Sequence, residues 1–405
     1  MRIIIVASNF PDEYYPTVAS WSKEQADSIF KFTNNSIEVI SPKPYIIPME
    51  GFPFYKYKYL PRQEKSDLGY QIHYPQYLYL LPKSFFFGVT GITYSFSVTR
   101  YLSTEMSIDK PDIIHARFGY LDGYGSLKYC KKNQIPMVFD VHGHRDFGEY
   151  LQRNLIKKFQ RQTINIANKI ICIAKWQVKK GISIGIPEHK LEYIPLGVDF
   201  ERFEKTSGSD FSFQRKNEYT QKCVFLFVGS LTKLKGVAYL LQAVSQLREN
   251  VKKKCHFIIV GDGPEKNNLQ NDVDTLRLSP YITFAGRSIG DELVRLYASA
   301  DVFVLPSLSE GRPTAINEAM VSGCAIIGSN IDGIPEQVTD GYNGFLVDPA
   351  CPWQLAEKIS LFAEDENLVN IMGKNSKRKI LEEGITWQNY AINVSKIYKV
   401  ILDDQ

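Results

Sequence analysis

The stretch "DVFVLPSLSEGRPTAINEAMVSGCAIIGS", residues 301–329, holds two apolar runs separated by a polar loop and an amphipathic segment. "VFVLPS" reads as a strand buried on both faces, a continuous run of Val, Phe and Leu closed by Pro. The loop that follows leads into "TAINEAMVSG", where Pro313 suits the first turn of a helix and Gly323 the position past its end. "CAIIGS" is a second buried strand. Strand, loop, helix and strand at this length predict a parallel α/β unit.

The same pattern runs through both halves of the chain. The first half offers "RIIIVAS", "SIEVIS", "DIIHA", "PMVFDVHG", "KIICIA" and "LEYIP" as strands. The second offers "CVFLFVGS", "HFIIVGDG", "YITFAG", "VFVLPS", "CAIIGS" and "GFLVDP". We therefore expect two Rossmann-like, doubly wound α/β domains facing each other across a cleft lined by both rows of strand ends. The join is expected after "LGVDFERF", residues 196–203, because "EKTSGSDFSFQRKNEYTQK" beyond it is polar and lacks apolar periodicity. This gives domains over 1–203 and 204–385, with a helix over 386–405 packing back on the first.

With 405 residues, 44% of them apolar and 23% charged, the composition is that of a globular chain of two or three domains. A net charge of +4 does not point to nucleic acid and suits acidic ligands such as nucleoside diphosphates or anionic lipids. The six cysteines are scattered without a C-x-x-C pair, so they read as reduced thiols of a cytosolic protein, with no metal site. "MRIIIVASNF" reads as a first buried strand, not a signal peptide. Residues 84–102, "SFFFGVTGITYSFSVTRYL", are too interrupted by Gly, Ser and Thr for a membrane span. They form either a core-facing helix or a face that rests on a membrane or grips a lipid acceptor. Residues 51–90 mix tyrosines with lysines and serve either loop and helix packing or an acceptor surface at the inner face of the cytoplasmic membrane.

Glu310 stands in the loop before the helix, and Glu318 lies one turn inside it, on the face of Thr314. The first amides of a helix have no intrahelical partner and favour a phosphate. A diphosphate on the amides near Thr314, Ala315 and Ile316 would leave Glu318 to accept from a ribose diol and Glu310 to meet the group on the distal phosphate. Taken singly, the two glutamates are equally a dipole partner and a surface residue.

Residues 306–349, "PSLSEGRPTAINEAMVSGCAIIGSNIDGIPEQVTDGYNGFLVDP", resemble the donor-binding signature of the family-four glycosyltransferases of GT-B fold. "PDIIHARFGYLDGY", "VFDVHGH", "LGVDFERF", "VGSLTKLKG" and "VGDGPE" follow in that family's order. The resemblance implies a retaining, metal-independent hexosyltransferase with an acceptor-binding first domain and a donor-binding second one. It implies no cofactor beyond the nucleotide-diphosphate sugar itself, UDP- or GDP-linked, and a glycan or glycolipid acceptor. It also implies that Glu310 and His142 contact the donor sugar, that Glu318 holds the ribose, and that Lys235 neutralises the leaving diphosphate. Gly311, Pro313, Thr314 and Ala315 would hold sugar and phosphate, and Arg287 and Ser288 the base through their backbone. Ser230 stands where the family usually places an arginine; Lys233 either reaches the phosphate in its stead or is a solvated residue. His115 and Arg117, at a strand end, either position the acceptor or pack the loop. Ala19 and Ser20 occupy the place of the adjacent glycines many relatives have after the first strand. No G-x-G-x-x-G follows that strand, which argues against a dinucleotide cofactor. A nucleotide-sugar epimerase and a non-catalytic nucleotide-sugar binder are the alternatives with the same clamp.

Overall fold

Runs of branched apolar residues build the sheets. Ile3, Ile4, Ile5 and Val6 have no exposed surface, and neither do Val302, Phe303 and Val304; strands buried this way need helices on both faces. A computed structural model describes residues 1–16, 19–45, 55–79, 83–105, 109–152, 154–203 and 221–404. The chain divides into one unit of Met1–Leu196 with Trp387–Gln405 and a second of Gly197–Thr386.

Among the described residues, the first unit has strands β1 (Arg2–Val6), β2 (Ser36–Ile40), β3 (Lys43–Tyr45), β4 (Gln63–Lys65) and β5 (Gln71–His73). Then come β6 (Gln76–Leu78), β7 (Ile113–Ala116), β8 (Met137–Val141), β9 (Lys169–Cys172) and β10 (Leu191–Tyr193). Eight of them form one sheet in the order β10-β9-β8-β7-β1-β2-β5-β4. Only its edge strand β4 runs antiparallel. β3 and β6 pair separately.

The second unit has β11 (Cys223–Val228), β12 (Cys255–Val260), β13 (Ile282–Gly286), β14 (Val302–Leu305), β15 (Ala325–Ser329) and β16 (Gly344–Val347). Their order, β13-β12-β11-β14-β15-β16, is all parallel and counts as 3-2-1-4-5-6 within the unit. The strand order reverses between β11 and β14 here, and between β1 and β7 in the first unit. Ligands of open α/β sheets bind past the carboxyl ends of the strands at such a point.

The twelve expected strands are all present, and β3 to β6 are additional. Each of these is three residues long and carries Gln, Glu, Lys or His, so none offers an apolar run. Side-chain pairing helps hold them: His73 on β5 lies 2.9 Å from Glu38 on β2 and 2.8 Å from the Tyr101 hydroxyl. The units part after Leu196, not after Phe203, because Phe203 is buried in the second unit's core, edge-on to Tyr297 at 5.9 Å. Most of the expected linker, 204–220, lies outside the described residues.

Helix Lys83–Glu105 buries Tyr94, Val98 and Leu102 and exposes Val89, Ile92 and Phe96. Among the described residues no helix is long and apolar enough to cross a membrane. The final helix, Trp387–Asp403, lays Tyr390, Val394, Tyr398 and Ile401 into the first unit's core, against helix Ser20–Phe32. Ile401→Ala should therefore cost about 2–4 kcal/mol of unfolding free energy in a denaturant titration; a loss near zero would mean that the helix does not belong to that core.

Candidate active site

In the second unit, β11 and β14 lie side by side, and the loops after them carry the charged residues. Lys235 closes a short turn, Lys233–Lys235. The next residue, Gly236, has φ +69°, and a Cβ there would sit 1.9 Å from the Pro306 carbonyl oxygen at the end of β14. Glycine therefore lets the turn lie against β14. Lys235 Nζ reaches Glu310 Oε1 at 2.6 Å, and the Ser307 hydroxyl donates to the same oxygen at 2.7 Å. The Glu310 backbone N–H donates to Asp332 Oδ2 at 2.9 Å. Next to Asp332, a Cβ on Gly333 would stand 2.2 Å from the Gly311 carbonyl oxygen, so the loop after β15 presses directly on this backbone. Glu310 is 8% exposed, and three side chains fix its position.

The helix after this loop spans Thr314–Val321, so Pro313 is its N-cap and not part of its first turn. Proline has no side-chain acceptor to cap the helix, which leaves the Thr314 and Ala315 amides without an intrahelical partner. Gln337 Nε2 donates to the Pro313 carbonyl at 3.0 Å and to Asn317 Oδ1 at 2.7 Å. Arg312 Nη1 donates to the same Asn317 oxygen at 3.2 Å. Glu318 is half-buried and accepts from the Tyr297 hydroxyl at 2.7 Å. Burial pushes its carboxyl up to about 7, against the opposing pull of that hydrogen bond and of Arg202.

Ser230 and Lys233 are both exposed in the loop after β11. The "GDG" turn buttresses that loop: Leu231 N–H donates to the Asp262 carbonyl at 2.9 Å and Glu265 N–H to the Leu231 carbonyl at 3.0 Å. Arg287 is exposed, and Ser288 is buried with its hydroxyl unpaired. Both follow β13, at the same carboxyl edge of the sheet. Ser307, Arg312, Asn317, Asp332 and Gln337 were not anticipated from the sequence. The spacing Ser307-x-x-Glu310 was the one legible sign of them, since the others act through the fold.

In the first unit, His142 follows β8. Its ring lies 4.0 Å from that of Trp21 and edge-on to Phe118 at 5.3 Å. Burial lowers its pKa, with Asp140 opposing, which favours the neutral imidazole. His115 and Arg117 do not form an acceptor surface, because neither has any exposed area. His115 Nε2 lies 2.7 Å from Asp140 Oδ1, and Arg117 Nη1 donates to Asp140 Oδ2 at 3.0 Å. Asp140, equally buried, is pushed up by desolvation, but His115, His142 and Arg117 together hold it well below the usual carboxylate range. Ala19, in the place of a family glycine, adopts φ +51° just before helix Ser20–Phe32, a left-handed conformation that glycine adopts without strain.

Known proteins resemble this chain in sequence and in fold. Residues 57–202 match Glycosyltransferase Family 4 and residues 208–379 match Glycosyl transferases group 1. The chain is 31% identical over 309 residues to the UDP-Gal:alpha-D-GlcNAc-diphosphoundecaprenol alpha-1,3-galactosyltransferase of Escherichia coli, covering 73% of this chain and 76% of that one. It is 26% identical over 289 residues to the N,N'-diacetylbacillosaminyl-diphospho-undecaprenol alpha-1,3-N-acetylgalactosaminyltransferase of Campylobacter jejuni, covering 70% and 71%. Among solved structures, Anabaena HepE in complex with UDP-glucose superposes with a TM-score of 0.75 at 17% identity, over 99% of this chain and 100% of that one. The chain belongs to the glycosyl transferases group 1, and its fold is that of the GT-B glycosyltransferases.

The environment of Glu318 makes a prediction for the free protein. The native carboxyl keeps its proton up to about pH 7, whereas the unfolded one releases it near the ordinary 4.5. The native state thus binds more protons between those values, and stability falls as pH rises through the window. Glu318→Gln removes that loss. The variant should be about 1–3 kcal/mol more stable than wild type near pH 8, with the difference vanishing near pH 4. Urea unfolding at both pH values checks it; equal stabilities near pH 8 would show that burying this carboxylate costs nothing.

Proposed function

We propose that this chain is a retaining hexosyltransferase, moving a sugar from a UDP- or GDP-linked donor to a hydroxyl of a lipid-linked or polysaccharide precursor without an obligatory metal. One observation carries the reading: Lys235 and Glu310 meet at 2.6 Å where the strand order reverses, beside the uncapped start of helix Thr314–Val321. A fixed cation and free amides are what a departing diphosphate needs. The two diphosphoundecaprenol relatives are named for α-linked products, which supports retention and a lipid-linked acceptor.

Lys235 leaves Glu310 for the β-phosphate as the donor arrives, while Ser307 and Asp332 keep Glu310 in place beside the sugar. His142 contacts the transferred sugar, Glu318 accepts from the ribose, and the amides at Thr314 and Ala315 hold phosphate. Gly311 and Pro313 shape this loop, and the backbone at Ser230, Arg287 and Ser288 borders the nucleotide. In the reaction the bond between the anomeric carbon and the phosphate oxygen breaks, its electron pair staying on the phosphate. The acceptor oxygen bonds to the same face of that carbon, and its proton passes to the departing phosphate oxygen. The positive charge of Lys235 is most valuable as that oxygen gains negative charge.

A panel of nucleotide sugars, with mass-spectrometric detection of released nucleoside diphosphate, identifies the donor. Glu310→Gln and Lys235→Ala should each lower turnover by roughly a hundredfold or more with the fold intact; unchanged turnover in both would sink the proposal. NMR of the product should show the donor's α-configuration. An altered free nucleotide sugar would point instead to an epimerase.

The exposed row of Val89, Ile92 and Phe96 suits a chain that works at the inner face of the cytoplasmic membrane. Phe96→Ser should lower co-sedimentation with phosphatidylglycerol vesicles without changing turnover on a water-soluble acceptor. Unchanged co-sedimentation would remove this face from the proposal.

A further inference from the structure

The first unit contains a buried polar network centred on Asp140. Asp140, on β8, has no exposed surface, and its two oxygens meet four residues. Oδ1 faces His115 Nε2 at 2.7 Å, and Oδ2 accepts from Arg117 Nη1 at 3.0 Å and Gln25 Nε2 at 3.1 Å. The final helix anchors the far side. Tyr398 Oη lies 2.6 Å from His115 Nδ1, and Tyr390 Oη accepts from Gln25 Nε2 at 2.6 Å. Burial lowers the His115 pKa against the pull of Asp140, which favours the neutral ring. One proton arrangement then satisfies the chain: Tyr398 O–H donates to Nδ1, and Nε2–H donates to Asp140.

The fourth neighbour is His142. Its Nε2 stands 3.7 Å from Asp140 Oδ2, too far for a hydrogen bond, and is buried without another partner. The His142 side chain keeps 10% of its surface exposed, so the open part of the ring lies away from Nε2. A carboxylate charge 3.7 Å from an otherwise unpartnered nitrogen, and itself held by three donors, favours a proton on that nitrogen.

We propose that Asp140 is a positioning residue for His142: its clamped Oδ2 selects the Nε2–H form of the imidazole, leaving Nδ1 without a proton to accept a hydroxyl of the transferred sugar. The inference rests on the proposed contact between His142 and the donor sugar. Asp140 touches no substrate itself. The network makes the final helix part of the site, because Tyr390 and Tyr398 hold the residues that hold Asp140.

The experiment uses the full chain labelled with 15N-histidine. Long-range 1H–15N spectra report the tautomer of each of the six histidines, and the His142 signals are those lost in His142→Gln. Wild type should show neutral His142 with the proton on Nε2. An asparagine at Asp140 keeps the shape of the side chain but removes the negative charge that faces His142 Nε2. Asp140→Asn should therefore shift His142 toward the Nδ1–H form and lower kcat about tenfold or more, with donor KM little changed. Tyr398→Phe removes only the hydroxyl behind His115 and should shift the tautomer in the same direction by less; it decides the matter if Asp140→Asn fails to fold. A proton on Nδ1 in wild type, or an unchanged tautomer in the folded variants, overturns the proposal. Full transfer by His142→Gln would instead refute the sugar contact, while the spectra would still decide whether Asp140 sets the tautomer.

Discussion

The second unit depends on the reversal of strand order between β11 and β14. These neighbours are hydrogen-bonded in register, Leu226 to Phe303, although two further strands intervene in the chain. Their crossovers leave to opposite sides, so the loops after them are free to turn toward each other. Gly236 brings one loop onto the end of β14, and the loop after β15 seats the other through Asp332 and Gly333. Lys235 and Glu310 meet because backbone contacts on both sides leave their loops little other space. The ion pair is a consequence of this packing. Its 2.6 Å length in a partly open site says more about position than about stability.

The first unit solves a different problem with buried charge. Arg117 and Asp140 have no exposed surface, and leaving either without a partner there would be costly. Their pairing, with His115, Gln25 and two tyrosines of the final helix around them, satisfies most but not all of the polar atoms: Gln25 Oε1, Arg117 Nε and Nη2 and His142 Nε2 lack partners. A network built only to stabilise a core would be expected to close completely. The open valence at His142 lies where a strand ends, on the side of the sheet from which a ligand would approach.

The sequence was most legible where physics acts locally. Every strand with a continuous apolar run was readable, from "RIIIV" to "GFLV", because burial on both faces demands that composition. The three-residue strands β3 to β6 were not, since their order comes from pairing with distant segments. Glu310, Glu318 and Lys235 were legible from motif and spacing, and the structure shows what each touches. His115 and Arg117 look like site residues in sequence because they are polar and stand at a strand end. Nothing local reveals that Tyr398, 283 residues away, covers His115 from within. Pro313 was misplaced by one position because proline fits both the first turn and the residue before it.

Ser230 changes the meaning of the Lys235–Glu310 pair. A second cation in the loop after β11 would let one positive group stay with Glu310 while the other met the diphosphate. Here that position is an exposed hydroxyl, and Lys233 beside it is exposed as well. Lys235, buried to three quarters against Glu310, is the cation already in place. If it serves the phosphate, Glu310 must be held by other means, and the structure supplies them: the Ser307 hydroxyl on the same carboxylate oxygen and Asp332 on the backbone N–H. The carboxylate thus keeps its position when its counter-ion leaves. On the proposed mechanism, with the lysine drawn to phosphate, Glu310 would face the sugar as an uncompensated negative charge, which would stabilise positive charge developing at the anomeric carbon. One cation shared in sequence between two anions can therefore do the work for which two would otherwise be expected.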